Sequence, residues 1–120
     1  MASLVILMIE AEQPEGLSAR KLVVETAKHN VLTAYCKEDG LDLLRRFPNV
    51  DAILVHSALL AETPHILSVI RERAPDIPLM LAAPFGNLRS PLVNFVVDSH
   101  IPQELLRLLD GEIQPRNRDA

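Results

Sequence analysis

The chain has 120 residues, of which 38 are Leu, Val or Ile and only four are aromatic. That composition suits one aliphatic domain burying roughly 65% of its extended surface, and it excludes disordered, collagen-like and disulfide-stapled classes. A net charge of −4 argues against nucleic acid, a single cysteine fits a reducing cytoplasm, and no apolar run reaches the ~18 residues of a membrane span.

In chain order, short apolar runs alternate with longer segments of mixed polarity. Residues 4–9 (LVILMI) read as a strand buried on both faces. Residues 17–28 follow as a helix with Leu17, Val24 and Ala27 inward, Arg20 and Lys28 on another face, and Glu15 near its start. The second strand covers residues 31–36 (VLTAYC) and ends on Cys36, read as a small buried thiol. Asp39 is placed to cap a helix over residues 41–47, where Leu41, Leu44 and Phe47 recur at helical spacing and Pro48 stops it.

Residues 52–55 (AILV) form the third strand. Thr63 and Pro64 make an N-cap and first turn for a helix to residue 73, with Ile66, Val69 and Ile70 inward and Arg71, Glu72 and Arg73 facing water. Strands over residues 78–83 (PLMLAA) and 95–97 (FVV) come next, then a helix over residues 103–109, opened by Pro102, with Leu105, Leu106 and Leu109 inward. Residues 1–113 form the domain, and the polar tail over 114–120 is expected to fray, with fraying starting after Gly111. Five β-α repeats with short connections predict a doubly wound α/β fold: a three-layer sandwich around a five-stranded parallel sheet.

Four local pieces in this order carry a family resemblance: VILMIEAEQP, KEDGLDLLRRFPNVDAILV, RERAPDIPLMLAA and IPQELLRLL. Over about residues 3–110 the chain resembles the receiver domain of two-component response regulators, a flavodoxin- and CheY-like fold. The resemblance implies a cytoplasmic role in bacterial signal transduction or transcription control. In that family, acidic residues after the first strand and an Asp ending the third hold magnesium, and that Asp accepts a phosphoryl group. A Ser or Thr ending the fourth strand and a Lys ending the fifth then read the phosphate.

Carried over by position, most of this set is missing. Glu10 and Ala11 stand at the acidic pair, with Glu12 just beyond. His56 replaces the phosphoacceptor Asp, Ala83 (or Ala82) replaces the hydroxyl, and Asp98 replaces the Lys. A pseudo-receiver outside the phosphorelay is therefore expected. The segment FGNLRSPLVN is also short, so the helix between the fourth and fifth strands should be stunted or replaced by a loop, and the usual dimer face altered.

The carboxyl ends of parallel strands converge on the ligand crevice of such folds, which would gather Glu10, Glu12, His56, Asp98 and His100. These residue types can hold zinc, but no local metal motif is present, so an ion pair of His56 with Glu10 or Asp98 is the expected arrangement. Such carboxylates would raise the His56 pKa, the basis for a metal-, ligand- or pH-responsive alternative, and would repel phosphate from the imidazole. His29 is expected at a helix C-terminus as a partly positive ring, and His65 on the surface. No Walker loop, G-x-G-x-x-G or G-x-S-x-G occurs, so neither an enzyme nor a cofactor is expected. Leu59, Leu60, Phe85 and Leu88 are either buried or a partner-contact patch. The expected partner is another signalling protein or a fused output domain, with self-association through the same region and no contact with nucleic acid or membrane.

Overall fold

The structure is a computed structural model that describes residues 3–11 and 19–115. Five parallel strands form one sheet: β1 (Val5–Ile9), β2 (Asn30–Ala34), β3 (Ala52–His56), β4 (Leu79–Ala83) and β5 (Phe95–Asp98), in the spatial order β2-β1-β3-β4-β5. Helices α1 (Ala19–Thr26) and α5 (Pro102–Gly111) cover one face, and α2 (Lys37–Arg46), α3 (Leu59–Glu62) and α4 (Ile66–Arg73) cover the other. No helix among the described residues is long and apolar enough to cross a membrane.

The unbroken apolar runs arise because both faces of each central strand are dry. Leu7, Ile9, Ile53, Val55, Leu79 and Leu81 point to the α2–α4 side, while Ile6, Met8, Leu54 and Met80 point to the α1–α5 side. All ten are at most 1% exposed, and each contributes ~1.5–3 kcal/mol by leaving water. The sheet is thus a rigid platform that fixes where its strand ends fall.

Several boundaries differ from the sequence reading. β2 ends at Ala34, and Cys36 is the half-buried residue preceding α2, its carbonyl already accepting from the Gly40 N–H. Asp39 lies inside the first turn of α2 with Glu38, where its charge complements the positive end of the helix dipole rather than capping the helix. Phe47 is 42% exposed beyond the helix end, under the Arg46 guanidinium at 5.5 Å. Ala27 also lies past its helix and is exposed, while Leu17 falls outside the described residues.

Thr63 closes α3 instead of opening α4: its hydroxyl donates to the Leu59 carbonyl at 2.8 Å. α4 starts at Ile66 and buries Ile66, Leu67 and Ile70. Past α5, Ile113 is 3% exposed in the core, so the chain stays anchored beyond Gly111. Residues 116–120 fall outside the described residues.

The β4–β5 connection holds one 3-10 turn, Pro84–Gly86, and no α-helix, as the short segment implied. Arg71, expected to face water, is what organises this link. Its Nε and Nη2 donate to the Leu92 carbonyl at 3.0 and 2.8 Å, and Nη2 also reaches Asn94 Oδ1 at 2.8 Å. The same Asn94 oxygen accepts the Leu79 N–H, and Arg71 Nη1 donates to the Pro75 and Ile77 carbonyls at 3.2 and 2.9 Å. A planar guanidinium with five donors can collect so many carbonyls at once.

Candidate functional site

Parallel pairing brings the strand ends into line. Val55 sits opposite Ile9, His56 opposite Ala82, and Ala83 opposite Asp98. The first residue beyond β1 is therefore Glu10, whose N–H donates to the Ala34 carbonyl and whose side chain is fully buried. A buried carboxylate needs a strong partner, and the first turn of α1 supplies it.

Arg20 is 6% exposed and grips Glu10 through two parallel hydrogen bonds, Nε to Oε2 at 3.0 Å and Nη2 to Oε1 at 2.5 Å. Its Nη1 donates to the Ser99 carbonyl at 2.6 Å, just beyond β5. One guanidinium thus fastens β1, α1 and the β5–α5 loop across the crevice. Two-point geometry of this kind is the strongest form of an Arg–carboxylate pair.

His56, at the end of β3, is half-buried, and its Nδ1 accepts the Ala58 N–H at 3.0 Å. Burial pushes its pKa below the ordinary value; the nearby Arg20 and His100 add to the lowering, and Glu10 opposes it. Asp98 Oδ1 accepts two backbone N–H groups, from Phe85 at 3.2 Å and His100 at 2.9 Å. Asp98 thereby pins the β4–β5 loop to the α5 entrance. Phe85 is held there in a left-handed conformation (φ 58°), 74% exposed, its ring 5.6 Å from that of His100. A non-glycine residue at positive φ is strained.

No family model matches the chain, and no curated protein matches it by sequence. Solved structures do match it. A response regulator receiver domain protein from Clostridium thermocellum superposes with a TM-score of 0.73 at 20% identity, over 89% of this chain and 91% of that one. A putative response regulator from Chloroflexus aurantiacus gives 0.70 at 17% identity, over 91% of this chain and 97% of its own. A chemotaxis response regulator of Vibrio cholerae gives 0.68 at 15%, over 91% and 98%.

The chain has the receiver fold.

Within that fold, Glu10, Ala11, His56, Ala83 and Asp98 do lie together at the carboxyl edge, with Ala82 beside His56; Glu12 lies outside the described residues. The expected pairing of His56 with Glu10 or Asp98 is replaced. Glu10 belongs to Arg20, and Asp98 faces backbone N–H groups. The His56 pKa moves down rather than up, because burial and a cation outweigh the one nearby anion. His29 is buried, and its Nδ1 accepts the Leu4 N–H at 3.1 Å instead of presenting positive charge to a helix end.

The magnesium that receiver folds use does not fit this residue set. It needs several hard oxygen ligands in octahedral array, but both Glu10 oxygens are taken by a guanidinium that would repel a cation. Among the described residues no group of three or more His, Cys, Asp and Glu could hold a metal ion. Of the four candidate contact residues, Leu59 is buried and Leu60 packs against the core, whereas Phe85 and Leu88 are exposed, at 74% and 40%. Ile101 joins them at 41%. Arg20 is the crevice residue that the sequence reading placed elsewhere, on an outer helix face. A signal existed: an acid directly after a buried strand, followed by a helix with a cation in its first turn.

Proposed function

We propose that this chain is a receiver-fold signalling domain that works without aspartyl phosphorylation, by standing contact with another signalling protein or an associated output domain. The observation that carries the reading is the buried Arg20–Glu10 pair, a fixed internal cation where a receiver would bring in a metal ion. Two further features support it. The position of the phosphoacceptor carries an imidazole whose Nδ1 is engaged by backbone, and Ala82 and Ala83 offer no hydroxyl. Asp98 adds negative charge where a transferred phosphoryl group would need positive.

The contact surface in this reading is the loop carrying Phe85 and Leu88, with Ile101 beside it at the start of α5. Exposed large apolar side chains around a strained aromatic suit a protein partner. Incubation with magnesium and acetyl phosphate, followed by intact-mass measurement, tests the first half. The expected result is no gain of a phosphoryl group, and stoichiometric gain overturns the reading.

A further inference from the structure

A second surface lies at the opposite edge of the sheet, where the helices end. Between the C-terminal ends of α2 and α4 is a cleft of about 570 Å³. Its base is apolar, made by Leu44, Ala74 and Ile77 with Pro48 on the rim, and Arg45 and Arg73 stand on its two walls. A smaller cavity of about 260 Å³ over Val5, Phe47 and Val50 adjoins it at the shared Pro48, and Arg46 lines that cavity. Phe47, 42% exposed, lies on this second cavity.

Basic residues in the last turn of a helix are ordinary, because they complement its dipole. That rule does not explain their distribution here. Of the four helices of eight residues or more, α1 and α5 have none in their last turn, whereas α2 has Arg45 and Arg46 and α4 has Arg71 and Arg73. The charges collect on the two helices that flank the cleft, in a chain whose net charge is −4. Arg71 takes up the Pro75 and Ile77 carbonyls, which stiffens one wall and leaves Arg73 free of that task. Asp42 holds Arg45 at 2.6 Å and Arg46 at 3.5 Å, but this pair is largely solvent-exposed, and such pairs exchange readily for a competing carboxylate. Asp76 is the acid that lines the cleft itself.

We infer that this cleft docks an acidic peptide segment of a partner protein: an apolar side chain enters between Leu44 and Ile77, and flanking carboxylates meet Arg45, Arg46 and Arg73. The site is separate from the carboxyl-edge surface and does not depend on it.

The test uses the full chain and two acetylated octapeptides with central leucines, one flanked by glutamates and one by lysines, followed by amide NMR. The glutamate peptide is expected to give saturable shifts at residues 44–48 and 73–77 that weaken with added salt. The surface variant R45E/R73E, checked for unchanged thermal unfolding, is expected to bind it roughly tenfold more weakly. Equal binding of the lysine peptide, shifts centred elsewhere, undiminished binding by the variant or absence of saturable shifts each overturn the inference. So does equal or tighter binding of oligothymidylate at the same salt, which would reassign the cleft to nucleic acid.

Discussion

Arg20 sets the character of the crevice. Removing one member of a buried, hydrogen-bonded ion pair strands the other charge, which costs about 3–5 kcal/mol. Arg20→Met is expected to lower unfolding stability by that order in urea titration, since Glu10 is left fully buried. Replacing Glu10 by Leu in the same background should recover much of the loss, because an apolar pair needs no mutual compensation. If R20M proves neutral, the pair is not the clamp described. His56 supplies a pH-dependent companion test. Its pKa in the folded chain lies below the ordinary 6.5, so between these values the unfolded chain binds a proton that the folded site resists. Its contribution is fully present above about 6.5 and falls as pH drops toward the lowered value. His56→Asn, which keeps an acceptor for the Ala58 N–H, should flatten that part of the profile of urea midpoint against pH. An unchanged slope would show that burial is not shifting this group. The sequence carried only the acid-then-cation hint of Arg20, and nothing of the direction of the His56 shift. Arg20 looks like an outward helix residue, and its Ser99 partner is 79 positions away.

At the scale of elements, close approach and substitution of one device by another explain most of the architecture. α2 lies so near β1 that a Cβ on Gly40 would meet Ile9 Cδ1 at 2.7 Å and Cγ1 at 2.9 Å. Gly40→Ala gains up to about 1 kcal/mol of helix propensity but overpacks a site where such strain costs about 1–3 kcal/mol. Net destabilisation of about 1 kcal/mol is expected in chemical denaturation, partly relieved by Ile9→Val, which lacks the Cδ1 atom. A stabilised G40A would mean that α2 can slide away from the sheet. The strands were legible because dry faces on both sides leave uninterrupted Val, Ile and Leu. Helix ends were less so, because Thr63 before Pro64 looks like an N-cap although its hydroxyl closes the preceding turn. The lost helix between β4 and β5 could be counted from chain length alone. Its replacement could not, since Arg71 reaches Leu92 across 21 positions from a helix face that reads as solvated.

For the molecule as a whole, the parallel sheet separates two edges with different chemistry. The carboxyl edge, where receivers do their phosphoryl chemistry, is closed by an internal ion pair and presents Phe85, Leu88 and Ile101 outward. The amino edge carries an arginine-walled cleft. The net charge of −4 hides this division, and only the arrangement of helix ends exposes it. In the proposed reading Arg20 already fills the crevice, which then has no use for a metal ion and phosphate. Amide NMR spectra recorded with and without magnesium and beryllofluoride, a mimic of the bound phosphoryl group, test it directly. No saturable shifts are expected at Glu10, Arg20, His56, Ala82, Ala83 or Asp98. Saturable shifts clustered on those residues would contradict it.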